Sequence, residues 1–187
     1  KTTFIKNFEY KKNEPYVVIS NHLSNLDSML LFRFLKIKWV FMAKKEVYKL
    51  PIFKTAAKAF NFIKVDRTIK NDNENINKQA KNLFKNGWSL MVYPQGTRAR
   101  KENFLPFKSG AFHIALENNV PILPVVIAGT GDIWPRGSKF MKSGKAIINT
   151  LDPIDITKYT KDSIDELVLE TQEKMAKVYK ELTASIK

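Results

Sequence analysis

No cysteine occurs anywhere in the 187 residues. That excludes a disulfide framework, thiolate-ligated zinc, iron–sulfur clusters and a cysteine nucleophile. Histidine is nearly as scarce, with only His22 and His113, so no histidine cluster or His-Glu-x-x-His spacing implies a metal. No run approaches the ~20 apolar residues of a membrane-spanning helix, and no signal peptide is visible. Acidic charge is thin: 18 acidic residues face 32 basic ones, a formal charge of +14. Such a surplus favours polyanions, whether nucleic acid, anionic lipid headgroups or phosphorylated substrates. Lysine dominates it, and with asparagine it is also what codon bias in an A/T-rich genome produces. The five arginines (Arg33, Arg67, Arg98, Arg100 and Arg136) therefore carry more information.

What is present suits a globular protein: 44% hydrophobic and 27% charged residues, at a length that buries a real core in one domain, residues 1–187. Short apolar runs alternate with helical patterns, which predicts an α/β fold. Strands are expected at Tyr16–Ser20, Trp39–Ala43, Phe62–Val65, Ser89–Tyr93, Ile122–Ala128 and Lys145–Thr150. Most are continuous apolar runs, as in strands covered on both faces of a parallel sheet. Helices are expected at Asp27–Leu35, Asn73–Lys85, Ser109–Asn118 and Ser163–Ser185. In the last, Ile164, Leu167, Val168, Met175, Val178 and Leu182 recur near helical spacing, so this helix should lie on the sheet.

Lys44–Phe60 interleaves apolar residues with Lys44, Lys45, Lys49, Lys54 and Lys58, and Pro51 should break it into two short helices. Two readings fit: an interfacial segment for an anionic membrane surface, or a surface helix with solvated lysines.

Three stretches at predicted strand ends carry chemistry. In Asn21-His22-Leu23-Ser24-Asn25-Leu26-Asp27, a strand passes into a helix, where α/β folds bind ligands. Residues five apart do not share a face of a straight helix, so a His22–Asp27 contact needs a turn that Ser24-Asn25 could supply. Given that contact, Asp27 would orient the imidazole while its other nitrogen takes a hydroxyl proton. The alternative is that Asp27 caps the helix and His22 is a loop residue; Asp27 could also do both. In Tyr93-Pro94-Gln95-Gly96-Thr97-Arg98, Pro94 stops a strand, Gly96 permits close backbone approach, and Thr97 and Arg98 suit a phosphate. Alone, it is also an ordinary turn. Lys108, ahead of Ser109-Gly110, leads into another helix N-terminus, which favours anions. Arg67 follows the C-terminal end of the strand Phe62–Val65 and either meets an anion or pairs with Asp66 on the surface.

Together these stretches resemble one family, the glycerolipid acyltransferases of the 1-acyl-sn-glycerol-3-phosphate acyltransferase type. Its Asn-His-x4-Asp block matches Asn21, His22 and Asp27. An aromatic-Ile-x-x-Asp-Arg strand matches Phe62, Ile63, Asp66 and Arg67, and Phe-Pro-Glu-Gly-Thr-Arg matches Pro94, Gly96, Thr97 and Arg98. A Pro-led apolar run matches Val120–Val125, and Gly129, Thr130 and Trp134–Gly137 fit a looser stretch. Gln95 stands where the family has Glu, keeping a hydrogen-bond acceptor and losing a charge.

The resemblance implies a single α/β domain with a mostly parallel or mixed sheet of six or seven strands flanked by helices. It implies acyl transfer from acyl-CoA or acyl-carrier protein, as co-substrate and with no cofactor or metal, to the sn-2 hydroxyl of lysophosphatidic acid. His22 would be the base and Asp27 its orienter. Arg67 and Arg98, with Lys108 as a weaker candidate, would hold the acceptor phosphate. Gln95, Gly96 and Thr97 would shape the acceptor turn, with backbone N–H groups toward the oxyanion. It implies work at the cytoplasmic face of a membrane, either peripherally or through an anchoring segment missing from this chain. Three rivals stay open: another acceptor, such as glycerol 3-phosphate or a different lysolipid; a basic nucleic-acid-binding module; and a catalytically inactive lipid-binding relative, which Gln95 alone does not establish while His22 and Asp27 remain. The second lacks an RNA-binding signature, and the aromatics fall in predicted core strands, so no nucleic-acid partner is expected.

Overall fold

In the computed structural model, the described residues are 2–6, 11, 14–44, 63–65, 73–99 and 104–186. They form a mixed seven-stranded sheet in the order β1-β7-β6-β2-β5-β3-β4. The strands are β1 (Thr2–Lys6), β2 (Val17–Ser20), β3 (Trp39–Lys44), β4 (Ile63–Val65), β5 (Ser89–Val92), β6 (Ile122–Ala128) and β7 (Ala146–Thr150). The helices are α1 (Leu26–Phe34), α2 (Asn73–Lys85), α3 (Gly110–Asn118), the short α4 (Thr130–Ile133) and α5 (Ile164–Ile186).

All neighbouring strands run parallel except β6 and β7. The expected α/β architecture and mixed, mostly parallel sheet are therefore present. Six strands and four helices fall within a residue or two of the sequence reading. Two elements lie outside it. β1 is an edge strand that pairs in parallel with β7. Its partner lies far away in sequence, so nothing local marks it. α4 is a single turn, too short to show periodicity. Arg67 and all of Lys45–Phe60 lie outside the described residues. Among the described residues, no helix is long and apolar enough to cross a membrane.

The alternation of β2 divides the core. Val17 and Ile19 face the larger cluster, which includes Ile76, Leu83, Phe112, Ala115 and residues of α5. Tyr16 and Val18 face a smaller cluster with Leu31, Leu35, Trp39 and Met91. α2, α3 and α5 thus share one face, and α1 packs on the other. Helix α5 buries Ile164, Leu167, Met175 and Leu182 and packs Val168 and Val178 against the same core, as its spacing predicts.

Strand β2 lies between β5 and β6, parallel to both. The chain leaves β2 toward β3 on one side, whereas it leaves β6 toward β7 on the other. Adjacent parallel strands with diverging connections open a crevice beyond their C-terminal ends, where α/β proteins bind ligands. Gly129, at the end of β6, has φ 83°, and a Cβ there would land on the Lys145 carbonyl oxygen. Gly110, at the start of α3, has nothing within 4 Å of such an atom. Gly129→Ala should therefore lower unfolding free energy by roughly 3 kcal/mol, while Gly110→Ala stays within about 0.5 kcal/mol of the parent. Denaturant titration of both variants tests this.

Candidate active site

Each of the three central strands ends in a segment that contributes to one cluster. After β2, the chain turns through Ser24, whose hydroxyl accepts the Leu26 N–H at 3.2 Å, before α1 begins. This turn removes the five-residue mismatch. His22 Nδ1 lies 2.7 Å from Asp27 Oδ2. The same oxygen accepts the N–H groups of Leu23 at 2.7 Å and Ser24 at 2.8 Å. Asp27 Oδ1 accepts the Thr130 hydroxyl at 2.5 Å. The carboxylate is 0% exposed, yet four donors surround it, which is what makes burial of a carboxylate tolerable. Asp27 thus meets His22, as one of its two sequence readings held, but it does not cap the helix: Asn25 stands at the N-cap, Asp27 lies within α1, and the N–H groups it accepts belong to Leu23 and Ser24, which precede the helix.

A carboxylate only accepts, so the Nδ1 hydrogen points at Asp27 and Nε2 is left as the acceptor nitrogen. Tyr93, after β5, stacks on the His22 ring with centroids 3.9 Å apart and planes 10° from parallel. Its hydroxyl meets Ser28 Oγ at 3.0 Å. Burial, and secondarily the charge of Asp27, pushes the Tyr93 phenol far above its ordinary range, with the Ser28 hydrogen bond opposing. Tyr93 is therefore a neutral wall for the imidazole. The imidazole is held by one edge and one face.

The turn after β5 closes with the Gly96 N–H donated to the Tyr93 carbonyl at 3.0 Å. Pro94 takes the second position and Gly96 the fourth, at φ 70°, a conformation glycine adopts freely. Gln95 is 4% exposed. Its Oε1 accepts the His22 N–H at 2.8 Å and its Nε2 donates to the Leu105 carbonyl at 3.3 Å. Both ends of that amide thus brace backbone. The Ala99 N–H donates to the His22 carbonyl at 2.7 Å, a second tie between the two segments. Arg98 Nη1 donates to Asn25 Oδ1 at 3.1 Å, which brings the guanidinium beside the His22–Asp27 turn. Thr97 is exposed on the same turn. Lys108 donates its backbone N–H to the Pro94 carbonyl at 3.0 Å, while its side chain is exposed.

Three contributors carried no assigned role in the sequence reading. Thr130 closes the far side of Asp27, and Tyr93 stacks on the His22 ring. Asn21 exchanges both of its amide hydrogen bonds with the Ile127 backbone at 2.8 Å, locking β2 to β6. Asn21 and Thr130 fall in motif positions, but only the β2–β6 pairing shows what they touch. A cavity of about 920 Å³ opens on the α5 side. It is lined by Leu23 rather than His22 itself, and by Gly129, Arg136, Tyr179 and Ile186.

A family profile described as Acyltransferase matches residues 2–128, more than half of the chain. The chain belongs to the acyltransferase family. The 1-acyl-sn-glycerol-3-phosphate acyltransferase of Saccharomyces cerevisiae is 32% identical over 172 residues, 90% of this chain and 57% of that protein. The protein of the same name from Haemophilus influenzae is 32% identical over 179 residues, 95% of this chain and 74% of its own length. This member of the family thus spans little more than half of its yeast relative. The crystal structure of the 1-acyl-sn-glycerophosphate (LPA) acyltransferase PlsC from Thermotoga maritima superposes with a TM-score of 0.81. It is 27% identical, and the match covers 97% of this chain and 72% of that one.

The geometry predicts a definite tautomer. Nitrogen-15 NMR of His22 in its neutral form should show hydrogen on Nδ1, the minor tautomer of free histidine. Asp27→Asn should disturb that signal while leaving His113 unchanged.

Proposed function

We propose that this chain transfers a fatty acyl group to the sn-2 hydroxyl of 1-acyl-glycerol 3-phosphate, giving phosphatidic acid. The donor is acyl-CoA or acyl-carrier protein, and residues 1–187 act as one acyltransferase domain. The observation that carries this reading is the His22–Asp27 pair at 2.7 Å, set where β2 ends. The motif positions shared with lysophosphatidate acyltransferases support it.

His22 Nε2 takes the proton of the acceptor hydroxyl as its oxygen attacks the thioester carbonyl. Asp27 holds the ring and stabilises its cation. The tetrahedral intermediate then collapses, the thiolate leaves, and His22 returns the proton to sulfur. No acyl-enzyme is required, in keeping with the lack of cysteine. Arg98 sits within reach of the same turn and holds the acceptor phosphate, together with Arg67 and, more weakly, Lys108. Because Gly96 gives its N–H to Tyr93, this reading assigns the oxyanion donor to Thr97. Gln95 acts on the acceptor through the turn it braces. An acidic membrane surface is the expected site of work, and nucleic acid is not expected as a partner.

Thiol release from acyl-CoA or acyl-carrier protein, measured against a panel of lysolipids and glycerol 3-phosphate, tests the reading directly. His22→Ala should reduce turnover by at least ~100-fold without unfolding the chain, the usual scale for removing a general base. Unchanged turnover would sink the mechanism. Arg98→Ala should chiefly raise KM for the phosphorylated acceptor, by roughly ten-fold or more, with donor KM much less affected. Equal weakening of both substrates would instead mark Arg98 as a donor or scaffold residue. Replacing Gln95 with Glu removes the donor to Leu105 while keeping the acceptor for His22. This variant should shift acceptor KM more than the chemical step.

A further inference from the structure

From Trp134 to Lys145 the chain carries Arg136, Lys139, Lys142 and Lys145 and not one acidic residue. Phe140 and Met141 lie at the middle of this stretch, 78% and 58% exposed. Isolated surface hydrophobics are commonplace, but two adjacent large ones between lysines form an apolar tip with a cationic collar. Residues 139–145 are all exposed.

The tip is held out by hydrogen bonds. Ser138 Oγ donates to the Phe140 carbonyl at 2.7 Å and accepts its N–H at 3.2 Å. Trp134 Nε1 donates to the Ser138 carbonyl at 2.9 Å, and the Lys142 N–H donates to the Ile133 carbonyl at 2.7 Å. Both limbs are thus tied to the region of α4. The base of the stretch also reaches the catalytic turn: Ser24 Oγ donates to the Trp134 carbonyl at 2.7 Å, two residues along from His22.

We propose that residues 138–142 form a membrane-docking wedge. Phe140 and Met141 enter the boundary between headgroups and acyl chains of an anionic bilayer. Lys139, Lys142 and Lys145, with Arg136, meet lipid phosphates. The charge decides the partner class, since four cations without an acid complement an anionic surface. Exposure favours a bilayer over a protein: an exposed apolar pair flanked by lysines enters a fluid interface without a preformed socket, while lysine stems reach back to phosphate level. The functional sense of the wedge rests on the acyl-transfer reading, for it would set the His22 turn against the surface that holds a lysolipid acceptor.

Because the chain lacks cysteine, Met141→Cys carrying a polarity-sensitive fluorophore reports on the tip alone and leaves Phe140 in place. On phosphatidylcholine vesicles with about 30% phosphatidylglycerol, the label should shift to the blue; pure phosphatidylcholine or about 0.5 M salt should weaken the shift. Phe140→Ser should lower vesicle affinity about ten-fold, and Phe140→Trp should restore it. Three results would overturn the proposal: a label that stays water-like while the protein sediments with vesicles, parental affinity in Phe140→Ser, or a shift with acyl-carrier protein and none with vesicles. Turnover on a short-chain acceptor dispersed as monomers is a separate readout, and Phe140→Ser should leave it unchanged. Its absence in the parent chain would defeat the acyl-transfer reading and leave the vesicle result standing.

Discussion

A buried carboxylate with four donors is the constraint on which the site depends. Asp27 draws in the His22 ring, two backbone N–H groups and the Thr130 hydroxyl. A buried carboxylate short of partners is strongly disfavoured, so these four groups and their segments hold one another in register. The β2–α1 turn cannot open without exposing Asp27 to its own unmet demand. Nor can α4 drift from β2 without removing the Thr130 hydroxyl. The role proposed for His22 depends on that rigidity, because a base must have its acceptor nitrogen aimed before substrate arrives.

The sheet supplies the rest of the preorganisation. Parallel pairing sets the C-terminal ends of β5, β2 and β6 side by side, so three distant stretches of sequence deliver Tyr93, His22 and Gly129–Thr130 to one place. Side-chain amides then stitch those ends together. Asn21 joins β2 to β6, and Gln95 joins β2 to the strap before α3 through the Leu105 carbonyl. In each case a buried polar side chain satisfies backbone groups that the sheet ladder no longer reaches beyond the strand ends. The stacked Tyr93 ring fixes the remaining freedom of the imidazole, its rotation out of plane.

The two faces of the sheet differ in ways that bear on substrate access. α2, α3 and α5 cover one side, and the cavity opens beside α5, lined by Gly129, Arg136 and Tyr179 among others. The exposed stretch carrying Phe140 and Met141 continues along the chain from that rim, and through Ser24 it is one hydrogen bond from the His22–Asp27 turn. The 134–145 stretch brings exposed apolar side chains and four cationic ones together along one continuous segment.

The sequence by itself determined the α/β class, six strands, the four longer helices and the position of the His22–Asp27 pair. Those features are local: an apolar run, a helical spacing or a motif at a strand end is written in neighbouring residues. The tertiary structure decided what depends on separation in the chain. β1 was not legible because its partner, β7, follows it by some 140 residues. Thr130 could not be read as the fourth donor to Asp27, since only the β2–β6 pairing brings the two together. Nor could the isolated motifs distinguish an acceptor-facing Gln95 from one whose amide is bonded to His22 and Leu105. Local pattern states which residues can do chemistry; the long-range pairing of strands, driven by burial of both sheet faces, decides which of them meet.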